Sequence, residues 1–342
     1  MIAPTKEQFS GCLIGQCLGD ALGFPVEGSP PEICQTYVSE MLVPLKRRGF
    51  AKNAFEFGQY TDDSQLAREM LQSYVEHKRF DPSDYAKRIA AIFKENRIVG
   101  RGMATDEAAG RLINGTPWEE AGTPPPSAGN GTAMRAGPIG LMFYDDPEKM
   151  TAAAHDQGRI THKDPRCSAG SIAVAGAVAL SLKPDPINAE KFLSQLGDWM
   201  GKFHTSFAQF TRELADWIML PPKDAVPLIS TCGVGPQYHD GWWGISPFVI
   251  SSVLWSLYSF LRTPDNYWET ICTAISVGGD VDTTAAMAGA ISGARLGLNR
   301  LPSELARHLT DQGTWGYSEL IKLAERCFDI KEEQKRGETE SS

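Results

Sequence analysis

The stretch Val277-Gly278-Gly279-Asp280-Val281-Asp282-Thr283-Thr284 runs straight into Ala285-Ala286-Met287-Ala288-Gly289-Ala290. Two glycines free the backbone, two carboxylates follow at i and i+2, and a helix of small apolar residues begins. In an extended segment alternate side chains point the same way, so Asp280 and Asp282 can share one target. A hard cation, which takes oxygen ligands, is one such target. The other is the helix start itself, where Asp and Thr cap free N–H groups and suit the positive end of the dipole. Taken alone, the stretch leaves both open.

Its glycines say more about the fold. Gly289, Gly293 and Gly297 are spaced four apart, and Gly11, Gly15 and Gly19 repeat that spacing near the start of the chain. An interior glycine weakens a helix by about 1 kcal/mol relative to alanine, so three on one face need a reason. Close approach of another helix supplies it, and the two segments are expected to be paired central helices of an all-α core. Further helices are expected from Thr61-Asp62-Asp63-Ser64 to about His77, and over 85–95, 103–113, 147–157, 165–181, 189–202, 207–219, 247–261 and 268–277, with two short ones near the C-terminal end. Residues 122–140 read as the longest irregular stretch, and no sustained period-two strand occurs. The fold class that follows is all-α, one compact domain over 1–330, with a charged tail over 331–342 expected to be disordered.

Composition narrows the function classes. The chain has 342 residues, 42% hydrophobic and 22% charged, which is that of a soluble globular protein. A net charge of -9 argues against nucleic acid as a partner. Seven scattered cysteines without a CxxC pair, no apolar leader in Met1–Ser10 and no run of membrane-span length point to a reducing, cytoplasmic setting without a membrane role.

A second acid-rich helix start changes the weight of the first. Thr61 suits an N-cap, but adjacent acids diverge by roughly 100° on a helix, so Asp62 and Asp63 cannot both serve one cap. Together with Asp280 and Asp282 they make four carboxylates, and Glu27 in Phe24-Pro25-Val26-Glu27-Gly28 can be a fifth acid. Buried side by side, such groups repel unless cations lie between them. No His or Cys accompanies them at ligand spacing, which favours Mg²⁺ or Mn²⁺ over Zn²⁺. An EF-hand does not fit, because Ala285 and Ile291 stand where its glycine and closing glutamate belong. Gly129-Asn130-Gly131, after Pro124-Pro125-Pro126, is either an ordinary turn or a loop whose N–H groups cradle an anion, with Arg135 nearby for charge. It is no Walker A loop, since no Gly-Lys-Ser/Thr follows. His155-Asp156 and His239-Asp240 evoke helical His-Asp metal phosphohydrolases. Each histidine also has a plain packing role open to it, as does Trp242-Trp243, a stacking platform or simply core.

Taken in order, the set resembles the ADP-ribosylglycohydrolase family over nearly the whole chain. Gly19-Asp20-Ala21-Leu22-Gly23 with Glu27 is similar to its opening motif, and Thr61-Asp62-Asp63-Ser64 to its first metal motif. Gly129-Asn130-Gly131 through Met134-Arg135 is similar to its substrate loop, Thr161-His162 to a family histidine, and Gly279-Asp280-Val281-Asp282-Thr283 to its second metal motif. The resemblance implies a compact all-α fold around two Mg²⁺ (or Mn²⁺) ions held by Thr61, Asp62, Asp63, Asp280, Asp282 and Thr283. It implies removal of ADP-ribose from a modified protein or related ADP-ribose conjugate at C1″ of the distal ribose, with Asp62, Asp63 or Glu27 deprotonating the attacking water. Ser127 and the Gly129–Gly131 backbone would bind the diphosphate, Met134 and Arg135 would be substrate-binding residues of the same loop, and His162 would line the cleft beside the ribose. Two departures stand out. Val281 replaces the family's usual Thr or Ser, though both flanking acids are kept. Ala128 stands where some relatives carry an aromatic residue, which leaves adenine stacking to another side chain, with Trp242 as the candidate. A non-catalytic binding or crystallin-like relative is the alternative, and loss of a metal acid would be its sign; none is lost. A His-Asp phosphohydrolase is the other alternative, and it requires His155 or His239 as a ligand.

Overall fold

A computed structural model describes residues 3–44, 55–234 and 240–340. Helix α1 (Lys6–Gly23) opens on a capping box, in which the Thr5 hydroxyl accepts the Gln8 N–H at 3.3 Å and the Gln8 side chain returns a bond to the Thr5 N–H at 3.1 Å. There follow α2 (Pro31–Tyr37), α3 (Asp62–His77), α4 (Pro82–Lys94), α5 (Met103–Ile113), α6 (Trp118–Ala121), α7 (Gly137–Met142), α8 (Pro147–Arg159) and α9 (Pro165–Ser181). The second half comprises α10 (Ala189–Met200), α11 (Thr205–Trp217), α12 (Pro222–Ser230), α13 (Val249–Arg262), α14 (Tyr267–Ser276), α15 (Val281–Leu296), α16 (Ser303–Ala306) and α17 (Tyr317–Glu340). Among the described residues there are isolated β-bridges but no strand, so the chain is all-α as its patterning indicates.

The glycine pairing is realised at the centre. Helices α1 and α15 run antiparallel with backbones in contact: a Cβ added at Gly11 would collide with the Gly293 carbonyl, at Gly15 with that of Gly289, and at Gly19 with that of Ala285. Tyr267, on α14, donates its hydroxyl to the Gly15 carbonyl at 2.7 Å across this contact. Helix α15 is buried almost throughout, as are α9 and α13, which flank it. Such helices carry apolar residues on every face because they have no solvent side.

Three departures from the expected elements stand out. Helices α2 and α12, absent from the expected set, begin at Pro31 and Pro222, and proline suits the first helical position, where its missing N–H is not needed. Within 122–140 a single 3-10 turn, Asn130–Thr132, and α7 appear. The segment from Lys331, expected to be a disordered tail, continues α17 to Glu340. Tertiary contacts outweigh its polarity: Lys331 Nζ meets Asp145 at 2.6 Å, Lys335 donates to the Tyr144 hydroxyl at 3.0 Å, and Gln334 accepts from Tyr74 at 3.1 Å. All seven cysteines are free thiols, and no helix among the described residues is long and apolar enough to cross a membrane.

Candidate active site and metal centre

The N-termini of α3 and α15 open into one cleft of about 700 Å³. Its walls include Glu27, Asp62, Asp63, Asp280, Asp282 and Thr283. Asp280 and Asp282 do stand at the start of α15, yet the Asp280 side chain makes no capping bond to its own helix. It accepts instead from the Asn130 side-chain amide at 2.6 Å. Asp282 takes the N–H of Thr283 at 2.9 Å. Thr61 occupies the N-cap position of α3 without capping it; its hydroxyl lies 3.0 Å from Asp63 and 2.9 Å from Asp20. Asp280 and Thr61 thus stand at helix starts without capping them, and the acids of both starts line the cleft.

What caps α3 is Asp20, from the end of α1. Its carboxylate accepts the Thr61 N–H at 3.0 Å, the Thr61 hydroxyl, and the Ser64 N–H at 3.2 Å. This residue belongs with the site although its spacing did not mark it as such. The available signal was an acid lying between two glycines of the small-residue face. Asp20→Asn puts an amide N–H₂ against these donors and should weaken Mg²⁺ binding roughly tenfold to a hundredfold; calorimetric titration giving wild-type affinity would rule out this positioning role.

Gln16 joins the halves, donating to the carbonyls of Asp63 and Met134 at 3.0 Å each. Single bridges fix the loops: the Asp280 N–H reaches the Ile245 carbonyl at 2.8 Å, the Asn130 N–H reaches Pro247 at 2.9 Å, and the Asp62 N–H reaches Val99 at 2.7 Å. Beyond Val99, Gly100 has φ +73°, and a Cβ there would lie 2.9 Å from Asp62 Oδ1. Gly100–Gly102 and the first turn of α5 thus form a wall of the cleft, and the Gly100-Arg101-Gly102 pattern was its only sequence trace.

Electrostatics set the character of the centre. Burial, reinforced by neighbouring carboxylates, pushes the Asp62, Asp63 and Asp282 carboxyls well above the usual range. Burial also raises Asp280 to about 6, against the opposing hydrogen bond from Asn130, and Asp20 to about 7. Carboxylate oxygens of Glu27, Asp280 and Asp282 lie within 4.8 Å of one another. Asp63 Oδ1 is buried with no hydrogen-bond partner. An orphaned buried oxygen within a set of oxygen donors fits a hard divalent cation, and the residues present can hold one. Glu27, expected near the metals or the entrance, belongs to the tightest group of acids.

Of the expected substrate residues, Ser127, Gly129, Asn130, Gly131, Met134, His162 and Trp242 line the same cleft. Arg135 does not. It is fully buried and absent from the cleft lining, with Nε and Nη2 donating to Gln157 and Thr161 and Nη1 left without a hydrogen-bond partner among the described residues. The Asn130 N–H is likewise committed to Pro247 and is not available to an anion. His155 bonds Ser168 at 2.9 Å and packs on Phe203, away from the acids, as a packing residue. His239 lies outside the described residues.

Comparison with known proteins places this geometry. The family profile described as ADP-ribosylglycohydrolase matches residues 1–337. ADP-ribosylhydrolase ARH3 of Gallus gallus is 28% identical, over 96% of this chain and 94% of its own. ADP-ribosylarginine hydrolase Tri1 of Pseudomonas putida is 25% identical, over 94% of this chain and 78% of its own. A solved structure described as an ADP-ribosylglycohydrolase-related protein complex superposes with a TM-score of 0.69 at 24% identity, covering 95% of this chain and 98% of that one, which speaks to the fold.

Proposed function

The chain belongs to the ADP-ribosylglycohydrolase family of glycosidic-bond hydrolases, and from that premise we propose that its cleft releases ADP-ribose from a modified protein side chain or related conjugate by hydrolysis at C1″ of the distal ribose. The observation that carries the reading is the convergence of five acids, the Gly129–Gly131 loop and His162 on one cleft of about 700 Å³. Relatives named for Arg-linked ADP-ribose and for ADP-ribose hydrolysis more broadly match at similar identity, so the leaving group stays within ADP-ribose conjugates as a class.

Thr61, Asp62, Asp63, Asp280, Asp282 and Thr283 would hold two Mg²⁺ or Mn²⁺ ions, with Glu27 beside them. Such ions, when bound, orient the sugar and offset charge in the transition state. The chain's own residues do the rest. Asn130 holds Asp280 in place through its 2.6 Å bond. A carboxylate oxygen of Asp62, Asp63 or Glu27 takes the proton of the water that attacks C1″, while the glycosidic bond's electron pair leaves with the departing side-chain atom, which takes up a proton in turn. Ser127 and the flanking glycines face the diphosphate, and Trp242, 40% exposed at the mouth, offers a ring for the adenine. Incubating the protein with Arg-linked and Ser-linked ADP-ribosylated peptides should release ADP-ribose with Mg²⁺ or Mn²⁺, and release should stop with chelator and return on re-addition. Binding of ADP-ribose without release from either peptide would favour a non-catalytic relative instead.

A further inference from the structure

We propose that Arg135 and Thr161 form a relay that fixes the tautomer of His162, so that Nε2–H faces the cleft as a permanent hydrogen-bond donor. The chain of bonds begins at Gln157, whose amide is locked by donating to the Thr132 carbonyl at 2.8 Å and the Ser171 hydroxyl at 2.6 Å. Its Oε1 therefore faces Arg135, which donates Nε to it at 2.9 Å. Arg135 Nη2 donates to the Gln157 carbonyl at 3.0 Å and to Thr161 Oγ1 at 2.8 Å.

A guanidinium only donates, so the Thr161 hydroxyl accepts there and keeps one proton to give. Two acceptors are in reach: the Gly158 carbonyl at 3.5 Å and His162 Nδ1 at 2.9 Å. The first distance is at the outer limit of a hydrogen bond and the second is ordinary, so the proton goes to Nδ1. An Nδ1 that accepts places the ring proton on Nε2.

The ring is held in that attitude. Thr123 N–H bonds the Thr161 carbonyl at 2.8 Å, and Lys163 N–H bonds the Thr123 carbonyl at 2.9 Å, which clamps the segment on both sides of His162. Nε2 has no hydrogen-bond partner among the described residues and looks onto the glycine loop, where a Cβ at Gly131 would lie 3.5 Å from it and one at Gly129 3.6 Å. Burial and then the Arg135 charge lower the His162 pKa to about 3, so the ring stays neutral. A neutral ring with its proton on Nε2 is neither a base nor a cation ligand on the cleft side. It recognises an acceptor oxygen, a sugar hydroxyl or a phosphate oxygen. That this oxygen belongs to ADP-ribose rests on the proposed function; the tautomer does not. Arg135, turned away from the cleft, is thereby a positioning residue, and so is Thr161.

Long-range ¹H–¹⁵N spectra of the full chain labelled at histidine, with His162→Asn used for assignment, read the tautomer directly. The wild type should show the Nε2–H pattern for His162. Thr161→Val should lose that single pattern and, by calorimetry with Mg²⁺ present, bind ADP-ribose about tenfold more weakly, a loss of one ordinary hydrogen bond. Thr161→Ser should restore the pattern and bring affinity to within about twofold of wild type. An Nδ1–H pattern in the wild type overturns the relay, as does an Nε2–H pattern retained in Thr161→Val. Should Thr161→Val fail to fold, the wild-type and Thr161→Ser spectra decide. If the tautomer responds as stated while no variant, nor the wild type, binds ADP-ribose, the relay stands and the ligand assignment falls.

Discussion

Replacing Asp280 or Asp282 by alanine should abolish divalent-cation binding and lower turnover by roughly three orders of magnitude or more. Each is buried at the start of α15, and each supplies an oxygen to the group that includes Glu27. Asp280 is no mere cap, since its side chain accepts from Asn130 and makes no capping bond to its helix. Fold loss is a separate outcome with the opposite sign. Without cations the cluster is self-repelling, and burial holds Asp280 near 6 and Asp20 near 7 instead of the ordinary carboxylate range. A carboxyl whose pKa rises on folding binds its proton more tightly in the native state, so the stability it lends is lost as pH rises through the folded pKa. The chelated wild type should therefore melt at a lower temperature at pH 8 than at pH 5.5, and Mg²⁺ should reverse that loss by binding only the native state. Asp282→Asn should melt higher than wild type in chelator at pH 8 and show no Mg²⁺ shift. Normal hydrolysis by either alanine variant would remove the second acid pair from the metal centre.

The second large effect is on the fold itself. Gly15→Val should destabilise the protein by on the order of 3–5 kcal/mol, or prevent soluble expression. The added Cβ meets the Gly289 carbonyl at a distance no real Cβ adopts, with the Gly293 Cα 3.2 Å away on the same side. Because the obstacle is backbone on both sides, no rotamer relieves it and the two helices must part. Displacing α1 also disturbs the bond that Tyr267, on α14, donates to the Gly15 carbonyl. Gly110→Val on α5, where a Cβ meets nothing within 4 Å, is the matched control and should cost well under half as much. A melting temperature for Gly15→Val close to that of the control would show that the helices are not held at contact distance.

Much of this was written locally in the chain. Glycines spaced by four report close helix packing because a helix brings every fourth residue near one face, and α1 and α15 pair through them. Thr61-Asp62-Asp63 and Asp280-Val281-Asp282-Thr283 marked two helix starts, and α3 and α15 begin there. The resemblance of five ordered motifs named the family that the whole-chain match shows.

Other features depend on which way side chains point once helices pack, and spacing carries no such information. Asp20 became the cap of a helix more than forty residues on, because α1 ends against the start of α3. Glu27, left near the metals or the entrance, joined Asp280 and Asp282, since the turn after α1 is tied to the loop before α15 by the Gly28 N–H to the Gly279 carbonyl at 2.8 Å. Arg135, next to the glycine loop in sequence, turned inward to Gln157 and Thr161, where a buried guanidinium finds its acceptors. The polar end of the chain stayed helical because Lys331, Gln334 and Lys335 find partners on the surface they cross. Local period settled which segments are helices and which two touch; long-range burial and hydrogen bonding settled which side chains face the cleft.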